Sequence, residues 1–273
     1  MLIRIFPRRT RATPIDDFAL TRSPNLLDYA CDIDEVRVSV AFTYDIPKAE
    51  HLADSWRGIT QNVTIGGPAY NDPGGYFVPG LYLGEGYVIT SRGCPNHCWF
   101  CSVWHREGEK IRELPIFDGW NILDDNLLAC SESHIRAVFT MLKRQDKRAI
   151  FTGGLEAARL QPWHVDLLAD LKPKQMYFAY DTPDDYEPLR QASNWLRDAG
   201  FISPTRHIVG AYCLIGWPKD TIEAAEKRLK QILELGITPF AMLWKDKTGT
   251  VNSDWRKFQR TWARPTIIYG RTP

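Results

Sequence analysis

The sequence predicts an α/β protein in which a partial (β/α)6 barrel follows a small α/β segment. Strand and helix patterns alternate regularly over residues 86–244, and a stretch dense in glycine and proline, residues 70–86, separates them from a shorter strand–helix–strand pattern. A full eight-unit barrel typically needs about 250 residues, whereas this alternation has about 160. We therefore expect an open barrel whose site lies at the carboxyl ends of its strands.

The N-terminal segment, residues 1–85, is predicted to be a small α/β segment. Stretches rich in β-branched residues predict strands at 1–6, 35–42 and 62–69. Residues 46–59 predict a helix with Pro47 in its first turn, where proline is tolerated because the first amide groups of a helix have no partner. We place domain boundaries after residues 85 and 244, so that residues 245–273 form an extension that packs on the barrel.

The six β/α units of the barrel are read from apolar periodicity and helix-end signals. Strands are predicted at 86–91, 120–124, 148–154, 175–181, 207–216 and 238–243, and helices at 133–145, 162–171 and 220–236, with one more ending near Gly200. Ser133 is the predicted N-cap of the first of these helices. Asp220 and Glu223 predict a capping box at the start of the last.

Composition excludes several classes of protein. The chain has 273 residues, a formal net charge of +1, 44% hydrophobic and 25% charged residues, so no strong field attracts bulk nucleic acid or an anionic membrane. The sequence contains no apolar run long enough for a membrane span and no secretory signal pattern at its start. Six cysteines, three of them close together, do not resemble a disulfide framework, and we expect a reducing, cytoplasmic location.

The close cysteines form the most specific motif in the chain. Cys94, Cys98 and Cys101 have C-x3-C-x2-C spacing directly after a predicted strand, and closely spaced thiolates bind zinc or an iron–sulfur cluster. His97 or His105 could complete a zinc site, and Cys98 with Cys101 could form a redox pair that leaves Cys94 unexplained. Three thiolates on a four-iron cluster would leave one iron open to a substrate or cofactor.

On this motif and the units that follow it, the chain resembles the radical S-adenosylmethionine (SAM) superfamily over residues 86–244, with Phe100 in a position that is commonly aromatic. The resemblance implies a TIM-like partial barrel and a [4Fe–4S] cluster whose open iron chelates SAM. It further implies reductive cleavage of SAM to methionine and a 5′-deoxyadenosyl radical that abstracts hydrogen from a substrate.

The resemblance also suggests cofactor contacts at the ends of the second and third barrel strands. Asp124, Asp125 and Asn126 are similar to a D-D-N-F motif that can hold the SAM ammonium, although Leu127 replaces the Phe and a helix-capping acidic turn is the alternative. A G-G-E motif of the family also meets that ammonium. Here the corresponding residues follow the third strand and include an inserted Leu155; they are Gly153, Gly154 and Glu156. A plain turn is the alternative.

The later strand ends carry weaker candidates. Asp181 can contact the SAM ribose or the substrate, or cap the next helix, as Asp184 also can. Ile215, Gly216 and Trp217 resemble the segment that packs around the adenine, with ordinary barrel core as the alternative. Asp181, Trp244 and Lys245 are the candidates for contact with substrate. Arg92 and Arg106 flank the cysteines and can meet the SAM carboxylate, an electron donor or solvent.

The N-terminal segment looks like the tail of a cobalamin-binding domain, which precedes the barrel in one branch of the superfamily. The D-x-H-x-x-G pattern that ligates cobalamin is absent. We therefore expect a truncated relic without conventionally ligated cobalamin, and cobalamin held without a histidine ligand stays open.

Three functions remain in competition at this point. The first is hydrogen abstraction from an unidentified substrate, with electrons from a donor such as flavodoxin or ferredoxin. The second is a methylase, or a methylthiotransferase, although no second cysteine cluster is present. The third is a protein with structural zinc or a structural cluster and no catalysis. No membrane partner is expected, whereas a nucleic-acid partner stays open because the basic stretch 255–265 contains two tryptophans.

Overall fold

The computed structural model of the chain describes residues 1–263 and residue 268. The chain divides into two compact units. The first contains residues 1–117 with 247–249, and the second contains residues 118–246 and the chain from 250 onward. This division by contacts falls near residue 117. The predicted boundary after residue 85, between the N-terminal segment and the barrel, stays a prediction.

The first unit is built on a small parallel sheet. Its strands are β1 (Leu2–Ile5), β2 (Ala19–Leu20), β3 (Glu35–Ser39) and β4 (Val63–Gly66), in the order β2-β1-β3-β4. The helix α1 (Ile46–Trp56) connects β3 to β4 and packs its apolar face, including Leu52 and Trp56, into the core of this sheet. The predicted strand–helix–strand pattern is therefore present, and only the two-residue strand β2 was not predicted.

The remainder of the first unit contains the cysteine motif. Its elements are β5 (Tyr87–Val88), β6 (Ser91–Arg92), the short helix α2 (Val103–Arg106) and β7 (Arg112–Glu113). The predicted strand 86–91 is wrong in part, because it is interrupted after Val88 and its end turns into a hairpin. In that hairpin β6 pairs antiparallel with β7, Ser91 opposite Glu113. The cysteine motif therefore lies on the loop that connects the two paired strands of this hairpin.

The second unit alternates strands and helices throughout. Its elements are β8 (Asn121–Ile122), α3 (Glu132–Lys143), β9 (Ile150–Phe151), α4 (Pro162–Leu171), β10 (Gln175–Ala179), α5 (Tyr186–Asp198), β11 (Val209–Ile215), α6 (Ile222–Glu234), β12 (Thr238–Leu243) and α7 (Ser253–Trp262). Helix α3 buries the four residues of its predicted apolar face, Ile135, Val138, Phe139 and Leu142.

The strands of the second unit lie side by side in sequential order. From β8 to β12, each strand is parallel to the next one along the chain. The α/β class is therefore correct. Sequential order is also the order of a β/α barrel and differs from that of a doubly wound sheet, in which the order reverses. The curvature of a partial barrel stays a prediction.

Two predicted helix caps are wrong by two residues and by one residue, respectively. Ser131, not Ser133, caps α3 by accepting from the amide of His134, 3.2 Å away. Thr221, not Asp220, caps α6 by accepting from the amide of Ala224. Asp220 is buried, and its Oδ2 accepts instead from Arg228 and from the amide of Gly216, both at 2.9 Å. A buried guanidinium attracts the carboxylate more strongly than a helix terminus does.

The C-terminal helix α7 contains most of the basic stretch 255–265, for which nucleotide stacking was left open. Trp262 is 1% exposed, so it is not available for stacking, and Gln259 donates to the carbonyl of Ala241 on β12 at 2.9 Å. The predicted extension 245–273 lies outside the described residues at 264–267 and 269–273. Over the described residues, no helix combines the length and the apolar composition that a bilayer span requires.

Candidate functional site

The three motif cysteines lie on one loop of the first unit, between β6 and β7. Cys94, Cys98 and Cys101 are each half-buried, and none of the six cysteines, all of which lie within residues 1–263, forms a disulfide. The amide of Cys94 donates to the carbonyl of Gly108 at 3.2 Å, and that of Cys101 donates to Cys98 at 3.0 Å. The loop is thus fixed at both ends and tightly turned between the last two cysteines.

The residues present on this loop fit an iron–sulfur cluster. Thiolates are the ligands that hold such clusters, and none of these three thiols is in a disulfide. Gly93, immediately before the first cysteine, has a φ of +92°, and a Cβ there would lie 2.4 Å from the carbonyl oxygen of Lys110. Only glycine permits this close approach of the two sides of the loop. Phe100 packs edge-on against Trp99 beside the motif.

A buried carboxylate organises the arginines around the same loop. The Glu107 side chain is 1% exposed and receives hydrogen bonds from Arg106 at 2.9 Å and Arg112 at 2.7 Å, with Arg92 at 3.5 Å. The amide of Gly74 donates to both carboxylate oxygens at 3.0 Å. Arg92 and Arg106 are therefore mostly buried and pair with Glu107 and are not solvated surface side chains, whereas their contact with SAM or an electron donor stays a prediction.

Charge keeps Glu107 ionised. Burial alone would raise the pKa of this carboxyl, but the hydrogen bonds from Arg106 and Gly74 and the charges of Arg92 and Arg106 outweigh burial and hold the pKa below its usual value. Three guanidiniums thus surround one buried, ionised carboxylate.

In the second unit, the predicted residues at the ends of β8 and β9 come together. The Asn126 amide donates to Glu156 at 2.6 Å, and Arg159 donates to the same oxygen at 2.7 Å. Gly153 packs directly on the backbone of Asp124. Asp125 is half-buried beside them, and Gly154 has a φ of +92°. The structure thus brings the candidates from these two strand ends together, and their contact with SAM stays a prediction.

Replacing Gly153 with Ala should destabilise this cluster. A Cβ at Gly153 would lie 2.5 Å from the Asp124 carbonyl oxygen, so the backbone must shift, at a cost of about 1–3 kcal/mol. Urea unfolding of the variant measures that cost. Gly75→Ala is the control, because a Cβ at Gly75 meets nothing within 4 Å. Equal stability of the two variants would contradict the predicted clash.

Asp181 follows β10 and is half-buried. Its Oδ1 accepts from the amide of Leu214 on β11 at 2.6 Å. Burial raises the pKa of Asp181 to about 6, and the nearby charge of Asp185 adds to this rise, against the Leu214 hydrogen bond and the charge of Arg228. Asp181 does not cap the next helix; the capping box before it consists of Thr182 and Asp185, and the Asp185 carboxylate accepts from the amides of Asp181 and Thr182. Asp181 can therefore hold a proton near neutral pH.

Asp181→Asn should stabilise the protein above pH 6. The unfolded carboxyl ionises near pH 4 and the folded one near 6, so wild-type stability decreases as pH rises through this window, by up to about 3 kcal/mol. Asparagine can still accept from Leu214 and does not ionise. Urea unfolding at pH 7.5 and pH 4 should show a gain only at the higher pH. Asp184→Asn, exposed on the same turn, is the control; an Asp181→Asn variant less stable than wild type at pH 7.5 would contradict the prediction.

The candidates from the last two strands surround a small cavity of about 220 Å³. Gly216, Trp217 and Trp244 line it together with Trp255 of α7. Ile215 is fully buried, and its carbonyl accepts from the amide of Trp244 at 2.9 Å. Its side chain therefore belongs to the core, which was the alternative to an adenine contact. Lys245 is exposed, outside the residues that line this cavity.

Sequence reasoning missed a larger cavity, of about 820 Å³, in the first unit. It lies at the carboxyl ends of β1, β3 and β4, where open parallel sheets bind ligands, and Arg8, Phe42, Gly67 and Tyr76 are among its lining residues. Arg8 pairs with Asp45 there at 2.8 Å. A Cβ at Gly67 would lie 2.9 Å from the carbonyl oxygen of Val40, so the chain needs glycine there. The Gly66–Gly67 pair after the third predicted strand was the sequence signal that could have indicated this cavity.

Comparison with known proteins gives one distant similarity. Over 171 residues the chain is 26% identical to a cytidylyl-2-hydroxyethylphosphonate methyltransferase of Streptomyces wedmorensis. The alignment covers 55% of this chain and 31% of that relative, so the chain spans about a third of the relative's length. The sequence matches no protein-family profile.

Proposed function

We propose that the protein is a radical SAM enzyme. The observation that carries this proposal is the cysteine loop, in which three thiols without disulfides are half-buried on a turn fixed between the strands of the β6–β7 hairpin. Cys94, Cys98 and Cys101 would hold a [4Fe–4S] cluster. When bound, that cluster supplies an open iron for SAM and the electron that cleaves its sulfonium.

The second unit offers side chains of the types that bind the ammonium and the adenine of SAM. Glu156, already oriented by Asn126 and Arg159, has a carboxylate suited to the SAM ammonium. Trp217 and Trp244, which share a cavity, offer flat apolar surfaces suited to an adenine ring. Asp181 can donate or accept a proton at its carboxyl when the substrate requires one.

A spectroscopic experiment tests the binding half of this proposal. The protein is reconstituted with iron and sulfide without oxygen, reduced with dithionite, and its electron paramagnetic resonance spectrum is recorded with and without SAM. Binding of SAM to an open iron should change the spectrum. An unchanged spectrum at saturating SAM would contradict the proposal, and adenosine, which lacks the amino and carboxylate groups that chelate iron, is the control ligand.

Methyl transfer is the second candidate, favoured by the name of the distant relative. The cavity of about 820 Å³ at the sheet edge of the first unit could hold a second cofactor, such as cobalamin without a histidine ligand. Titration with hydroxocobalamin, followed by gel filtration, tests this variant of the proposal. Stoichiometric co-elution would support it, whereas no retained cobalamin would leave hydrogen abstraction without cobalamin as the proposal.

A further inference from the structure

A second cluster of metal-ligating side chains lies in the second unit, apart from the cysteine motif in sequence. Asp124, Cys130 and His134 each place one ligand atom within 4.8 Å of the other two. Carboxylate oxygen, thiolate sulfur and imidazole nitrogen are the three donor types that zinc accepts. None of the three was predicted to bind a metal.

Local structure positions the backbone of all three residues. Asp124 follows β8, and Gly153 packs closely against the Asp124 backbone. Cys130 ends a single helical turn, Leu127–Ala129, with its amide donating to Leu127 at 3.1 Å. Ser131 caps α3 through the amide of His134, which fixes His134 in the first turn of the helix. In this D-x5-C-x3-H sequence, Cys130 and His134 lie at the start of α3, and Asp124 lies after the end of β8.

Burial and charge also suit a divalent cation. Asp124 is 2% exposed and His134 is 8% exposed, whereas Cys130 is half-buried and leaves one side of the cluster accessible. Zinc with one carboxylate, one thiolate and a neutral imidazole gives a site without net charge, which burial favours. Three protein ligands leave the fourth position for water or a substrate group, as in catalytic zinc sites.

We propose that Asp124, Cys130 and His134 form a zinc site with one open position. This site is independent of the iron–sulfur cluster and reassigns Asp124 from the SAM ammonium to the metal, leaving Glu156 for SAM.

Cobalt(II) is the spectroscopic probe for this site. The full chain carrying Cys94→Ala, Cys98→Ala and Cys101→Ala, which lacks the iron ligands, is freed of metal with chelator and titrated with Co²⁺. One equivalent should bind, with a thiolate-to-cobalt charge-transfer band and the visible bands of a tetrahedral ion, and excess Zn²⁺ should abolish both. Adding Cys130→Ser should remove the charge-transfer band, and adding His134→Ala should weaken binding at least tenfold.

The control and a second measurement keep the test decisive. Cys31→Ser, which changes an exposed cysteine in the first unit, should leave the cobalt spectrum unchanged. If the triple variant does not fold, zinc per chain is measured by mass spectrometry in cluster-containing wild type and in Cys130→Ser, where loss of one equivalent is expected. The zinc site would be overturned if neither cobalt nor zinc bound saturably, or if Cys130→Ser did not alter the binding. Neither result would bear on the iron–sulfur cluster, whose iron content is measured separately.

Discussion

A Cys98→Ala variant should retain almost no iron after anaerobic reconstitution. With two thiolates remaining, a four-iron cluster has two irons without a protein ligand, and it dissociates or degrades. Cys94→Ala and Cys101→Ala should behave in the same way, since all three cysteines lie on one loop. Iron and acid-labile sulfide per chain, with the absorption of the cluster, measure the effect.

The other three cysteines provide the matched controls. Cys31 is exposed, Cys130 lies in the second unit, and Cys213 is buried within β11, where burial raises the pKa of its thiol to about 12. Serine at any of these positions should leave about four irons per chain, as the three-cysteine motif predicts. Full iron retention in Cys98→Ala, or loss of iron in Cys31→Ser, would contradict the ligand assignment.

Glu107→Gln should lower the free energy of unfolding by about 3 kcal/mol. We expect no larger loss when any other carboxylate of the first unit is replaced by its amide. Glutamine keeps the shape but removes the charge that three arginines and the Gly74 amide share. Two of those guanidiniums are at most 17% exposed, so water cannot replace the lost carboxylate well. Urea unfolding at pH 7.5 measures the difference.

Glu109→Gln is the matched control, because Glu109 is exposed and pairs only on the surface, with His97 at 3.0 Å. A surface pair contributes at most about 1 kcal/mol. The pKa of Glu107 is lower in the folded state, so its contribution is complete above its unfolded pKa and is lost as pH falls through the folded value. Equal stability of the two variants at pH 7.5 would contradict the role given to Glu107.

Much of the second unit was predictable because its signals are local. Helix Pro162–Leu171 and strand Thr238–Leu243 have the predicted bounds. Proline at a first helical position and a short β-branched or apolar run are properties of neighbouring residues. The meeting of Asn126 with Glu156 was predictable as well, since parallel strands end at one edge of a sheet.

The features that sequence reasoning missed depend on contacts between distant residues. The β6–β7 hairpin joins Ser91 to Glu113, and two-residue strands carry too few residues for a recognisable pattern. Asp220 pairs with Arg228 instead of capping α6, and only packing decides between those partners. The cluster of Asp124 with His134 requires a strand end and a helix start to meet in space.

The most direct test of the central claim is the product of SAM under reducing conditions. The reconstituted wild-type protein is incubated without oxygen with dithionite and SAM, and 5′-deoxyadenosine is measured by chromatography, with the Cys98→Ala variant as the blank. We expect about four irons per chain and 5′-deoxyadenosine from wild type alone. Zinc in place of iron at the motif, with SAM unchanged, would contradict the radical SAM account and make Cys94, Cys98 and Cys101 structural ligands.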